Sequence, residues 1–180
     1  MTWVVLGEQN GKIKLVSTRD SKGIVPKGSY LTIEVGETKF VLRVDDSGQT
    51  EPYTPSPLII DMDLKPLRHD QDCRNVITAY RVKDLTTRSD GYVDFIPPQS
   101  VARRSNQEEI DLAIGGPGEG PRVFVATVHS SQTQLLKDEG GKPITAVFPN
   151  EAFFHQMLIC GKTGSGKTVA AKYLAQYFVE

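Results

Sequence analysis

The chain has 180 residues, 38% hydrophobic and 24% charged, which supports a packed core and excludes wholesale disorder. A formal net charge of −1 gives no overall basic balance for nucleic acid, leaving only a local patch as a means of binding it. The two cysteines, Cys73 and Cys160, stand far apart, which excludes a disulfide scaffold and fits a reducing compartment.

The opening MTWVVLGEQNGKIKLV has neither the charged lead nor the long apolar run of a signal peptide. No apolar stretch approaches the roughly 20 residues of a membrane span. The expectation is a soluble, cytoplasmic protein without a membrane partner.

Period-two alternation predicts short strands over 3–6, 12–16, 30–35, 39–44, 58–61, 75–82 and 92–96. In the third, Leu31, Ile33 and Val35 share a face; in the fourth, Phe40, Leu42 and Val44 do so. Gly36-Glu37 between these two suits a tight hairpin with glycine at its first turn position. Turn residues punctuate the rest at 7–11, 26–28, 45–48 and 89–91, and the Pro-rich 51–57 reads as a loop or an edge. Many short strands at close spacing predict a small closed barrel or sandwich over 1–100.

Residues 101–150 read as a connector. Pro97-Pro98 ends the last barrel strand, and Ser105 with Glu108 reads as a capping box for a short helix to Ile114, stopped by Gly115-Gly116. Strand patterns follow over 122–128 and 144–148.

The sharpest motif comes last. The apolar-leaning run 154–160 is fit for a buried strand, and Gly161-Lys162-Thr163-Gly164-Ser165-Gly166-Lys167-Thr168 follows at once, matching G-x-x-x-x-G-K-[ST]. A helix pattern continues with Ala171, Leu174, Ala175 and Phe178 on one stripe. Glycines permit backbone angles that let successive N–H groups face phosphate oxygens, and the helix N-terminus adds unpaired donors. Lys167 would place its ammonium near the β- and γ-phosphates of ATP, and Thr168 would give its hydroxyl to Mg²⁺. Lys162 and Thr163 occupy variable positions and contribute loop backbone. The fixed positions arise by chance in a chain of this length on the order of one time in a hundred or less. The architecture expected is mainly β: a barrel, a connector, and from 151 to 180 the first strand, loop and helix of a RecA-like α/β P-loop domain.

Weaker candidates read as ordinary structure. The 116–120 run of alternating glycines precedes a strand pattern rather than a helix and reads as a flexible connection. His69, Asp70, Asp72 and Cys73 lack a matched second pair of metal ligands and read as a polar loop. Cys160 reads as a packing residue, and Lys65, Arg68, Arg103 and Arg104 as scattered surface charge.

The late loop in FPNEAFFHQMLICGKTGSGKT and the β-rich VPKGSYLTIEVGETKFVLRV before it resemble the N-terminal part of HerA-type ATPases of the HerA/FtsK branch. In that family the N-terminal region is called the HAS barrel, and PRVFVATVHS is similar to the connector of bacterial members, several of which serve in anti-phage defence. The resemblance implies a homohexameric ring coupling ATP hydrolysis to DNA translocation or unwinding, often with a nuclease or another effector docked on the barrel. It assigns the nucleotide contacts to Gly166, Lys167 and Thr168, with the loop backbone from Gly161 to Ser165 and Lys167 as the catalytic cation. Family members continue well past this point to their acidic Mg²⁺- and water-positioning residues and arginine finger. The chain is therefore expected to be an N-terminal portion that hydrolyses ATP negligibly alone. Two readings of a different kind are a β-barrel assembly and docking module without catalysis, and a P-loop protein of another class such as a GTPase or small-molecule kinase.

Overall fold

The structure, a computed structural model, describes residues 2–17, 25–50, 74–86, 95–114, 121–154 and 156–177. Alternating apolar side chains form β1 (Thr2–Gln9), β2 (Lys12–Ser17), β3 (Tyr30–Val35), β4 (Thr38–Thr50), β5 (Arg74–Asp84) and β6 (Val101–Arg104). All pair antiparallel and close into a barrel in the order β1-β2-β5-β4-β3-β6. Closure leaves none of the six as an edge strand.

The inward positions are Trp3, Val5, Ile13, Leu15, Leu31, Ile33, Phe40, Leu42, Val44, Ile77, Ala79 and Ala102, joined by Val25 and Ile96 from flanking segments. Each fully buried Leu, Ile or Val contributes roughly 1.5–3 kcal/mol relative to exposure. Arg81 faces Leu42 in the β4–β5 ladder; its guanidinium lies 5.1 Å from the Phe40 ring centroid and 2.7 Å from Glu8 Oε2. A charge is tolerated at this largely buried position because its partner neutralises it.

The strands over 3–6, 12–16, 30–35, 39–44 and 75–82 form as expected, and Gly36 turns the β3–β4 hairpin at a φ of 60°. The strand placed at 58–61 and most of that at 92–96 lie outside the described residues. The turn expected at 45–48 is overturned: β4 runs on to Thr50, with register shifts between Val41/Leu42 and Val44/Asp46. Asp45 sits at the second bulge, with Lys12 Nζ 2.7 Å from its carboxylate, so turn-type residues were absorbed as an irregularity within a continuous ladder. Closing strand β6 carries little alternation signal because VARR offers only the small Ala102 as its inward side chain.

After the barrel come α1 (Gln107–Ala113), β7 (Arg122–Thr127) and β8 (Thr145–Pro149), the last two paired antiparallel. The cap of α1 is Asn106, not Ser105, and its box partner is Glu109, not Glu108. Asn106 Oδ1 accepts from Glu109 N at 2.8 Å, and Glu109 Oε2 accepts from Asn106 N at 3.0 Å. Ser105 cannot serve because it still belongs to the barrel: its N–H donates to the Tyr30 carbonyl, and its buried hydroxyl meets Thr32 Oγ1 at 2.8 Å.

That one-residue shift turns Glu109 inward and leaves Glu108 exposed. The Glu109 carboxylate accepts from Arg103 at 2.6 and 3.0 Å and from Thr32 Oγ1 at 2.9 Å, and Lys39 Nζ lies 3.3 Å from it. Arg103 also binds Glu34 at 3.0 Å and Glu139 at 3.2 Å, so it is a junction of β3, β6, α1 and the connector rather than a scattered charge. Arg104 is half-buried, while Lys65 and Arg68 fall outside the described residues. A smaller core of Ile110, Leu136 and Ile144, with Tyr30 and Val128 against it, fixes the connector to the barrel wall.

Burial alone would raise the Glu109 carboxyl, but hydrogen bonds from Arg103, the Asn106 N–H and Thr32 outweigh it and hold the group at about 2, below its usual 4.5. A carboxyl depressed in the folded state stabilises the fold above its unfolded value and loses that stabilisation as pH falls through the folded value. Glu109→Gln is expected to cost on the order of 2–3 kcal/mol near neutral pH. In denaturant titrations the gap between wild type and variant should narrow between pH 4.5 and 2; a gap constant across that window contradicts the assignment.

Candidate phosphate-binding loop

Residues 150–177 leave the β8 end through a 3₁₀ turn (Asn150–Phe154) and return to regular structure only at α2 (Lys167–Gln176). The buried strand expected over 154–160 is not formed: Phe154 belongs to the turn, residues 156–160 have no regular structure, and His155 is outside the described residues. A strand exists through its ladder, and among the described residues no segment pairs with 156–160. Leu158 is 89% exposed, and Cys160, expected as a packing residue, is exposed too.

The loop itself has the conformation its glycines allow. Gly164 and Gly166 stand at φ of 81° and 82°, the left-handed region that costs other residues roughly 1–2 kcal/mol. Ser165 N donates to the Lys162 carbonyl at 3.1 Å, closing a tight turn. A Cβ at Gly161 would press on the Ser165 side chain, whose hydroxyl would have to turn away, so the first glycine leaves room for Ser165 rather than serving a left-handed dihedral. Lys167 folds back across the loop, and Nζ donates to the carbonyls of Gly161 and Lys162, each at 2.8 Å. The ammonium is thereby held over the loop mouth.

Gly166 caps α2 without a side-chain hydrogen bond, and the first helical bond runs from Ala170 N to the Gly166 carbonyl at 2.9 Å. The amides of Lys167, Thr168 and Val169 precede that bond and form the uncapped, electropositive end of the helix. Thr163 lies in the turn, and the Thr168 side chain is exposed at the same end. N–H groups, one ammonium and hydroxyls make a donor set suited to an anion. Among the described residues no group of three or more His, Cys, Asp or Glu could hold a metal. The exposed Thr168 hydroxyl is a group that could ligate a hard cation beside a bound anion.

On the stripe expected to pack, Ala171 and Ala175 are exposed, Leu174 is half-buried and Phe178 is outside the described residues; no residue of α2 is buried. Tyr173, which the motif does not include, touches the connector through the Phe124 carbonyl at 3.1 Å. The glycine run at 116–120 and the 69–73 polar cluster lie outside the described residues. Comparison with protein-family models finds no match, and comparison with curated proteins finds none either.

An exposed Cys160 should react without unfolding. In a Cys73→Ser background, thiol labelling of the native protein is expected within about a factor of three of the rate for an unstructured peptide. Protection by a factor of a hundred or so would restore a buried 154–160 strand.

Proposed function

We propose that Gly161–Thr168 is the phosphate-binding end of an ATP site and that the chain belongs to a HerA-type, ATP-driven DNA translocase or helicase. The observation that carries the reading is the unbroken GKTGSGKT motif folded with left-handed glycines onto an uncapped helix N-terminus, with Lys167 across its mouth. When bound, Mg–ATP supplies a γ-phosphoryl group open to attack by water. The Gly164, Gly166, Lys167 and Thr168 amides would bind and orient the phosphate oxygens. Lys167 would exchange its two carbonyl contacts for the charge that develops on the transferring group. The Thr168 hydroxyl would hold Mg²⁺ in register with them. Acidic and arginine groups from elsewhere in a homohexameric ring would complete the site.

A second reading concerns assembly. The barrel is closed, its interior is filled by side chains, and the connector is fixed to its wall, so it forms a rigid platform. In this reading it organises the ring and docks a nuclease or other effector. It also covers the alternative of a non-catalytic barrel module on a P-loop protein of another class.

Lys167→Ala is expected to lower Mg–ATP affinity at least about tenfold in titration calorimetry and to abolish turnover in the intact protein, with the barrel's circular dichroism unchanged. Unaltered affinity in that variant contradicts the nucleotide site. An intact ATPase that DNA does not stimulate contradicts the translocase.

A further inference from the structure

Helices usually hold their place through a buried apolar face, because short helices are marginal alone. Helix α2 has no buried residue, yet it presents the whole loop. Among the described residues, its side-chain hydrogen bond to an element outside the loop comes from Tyr173, donating to the Phe124 carbonyl at 3.1 Å. Tyr177 braces that ring edge-on, with centroids 5.4 Å apart and hydroxyls 3.0 Å apart.

The acceptor lies at a defined irregularity. The β7–β8 register shifts between Phe124 and Ala126, so the ladder is interrupted where Tyr173 arrives. The hairpin is in turn tied to α1. Arg122 donates to Asp111 at 2.8 Å, and the Gln107 amide bonds both the N–H and the carbonyl of Thr145, at 3.0 and 3.1 Å. Tyr173 stands about 9 Å along the helix axis from Lys167, so a pivot there sets the direction of the N-terminal amides.

We propose that Tyr173 is the positioning residue of the phosphate loop: through the Phe124 carbonyl it aims the α2 N-terminus and couples phosphate binding at the loop to the β7–β8 hairpin. The proposal rests on the ATP-site reading. Coupling of this kind is reciprocal, so the nucleotide should order the hairpin as much as the hairpin orders the loop.

Hydrogen exchange of the 180-residue chain with and without Mg–ATP, for wild type and Tyr173→Phe, tests it. Mg–ATP is expected to slow exchange across 122–127 in wild type but not in Tyr173→Phe, and the variant should bind Mg–ATP about fivefold more weakly. A purely structural loss would not remove the nucleotide's effect on the hairpin while leaving the barrel strands unchanged. Equal protection of 122–127 in both proteins overturns the proposal. If wild type binds no nucleotide, the ATP-site reading fails instead. The nucleotide-free comparison then decides the pivot: faster exchange of 122–127 in Tyr173→Phe supports it, and identical exchange overturns it.

Discussion

A buried carboxylate ties the connector helix to the barrel wall, beside the small apolar core of Ile110, Leu136 and Ile144. Glu109 is 5% exposed and receives hydrogen bonds from Arg103, Thr32 and the Asn106 amide, with Lys39 within 3.3 Å. Those partners come from β6, β3, the helix cap and β4. An unpaired carboxylate at that depth would be costly, so α1 docks stably only on a barrel wall that presents Arg103, Thr32 and Lys39 in place. Once α1 is fixed, Gln107 and Asp111 orient the β7–β8 hairpin, and the hairpin meets α2.

Much of the barrel was legible because its signal is geometric. Leu31 and Ile33 alternate with Tyr30, Thr32 and Glu34, and Phe40, Leu42 and Val44 fall at every second position, a period with few other physical explanations. The errors arose where tertiary pairing outweighed local chemistry. Asp45-Asp46-Ser47-Gly48 reads as a turn in isolation, yet a ladder with β5 carries the chain through it. Ser105 and Asn106 are both good caps, and nothing local separates them. The Ser105 amide is already committed to Tyr30, a contact across 75 positions of chain that no local reading contains.

The loop was legible in another way. Gly164 and Gly166 are dictated by backbone sterics, so the turn of GKTGSGKT forms with little help from outside. Its surroundings are not specified in that manner. The run 154–160 is apolar enough for a buried strand, but burial depends on partners, and here Leu158 and Cys160 face outward. Tyr173 left no trace in the motif because its acceptor is a backbone carbonyl, which carries no sequence signature. Arg103 likewise reads as one charge among many until β3, β6 and α1 converge on it.

These relations describe a rigid barrel and connector bearing a loosely attached phosphate loop, a division in which the low-stability segment is the one that must respond to a ligand. The central claim is that barrel and connector form one cooperative unit through Glu109. Native-state hydrogen exchange under increasing denaturant tests it most directly. The account predicts that the buried amides of β3, α1 and β8 open with a single free energy, within roughly 0.5 kcal/mol of one another, and that α2 opens well below them. Exchange of α1 and β8 at a free energy several kcal/mol below β3 would contradict it, because the connector would then be an independent unit resting on the barrel.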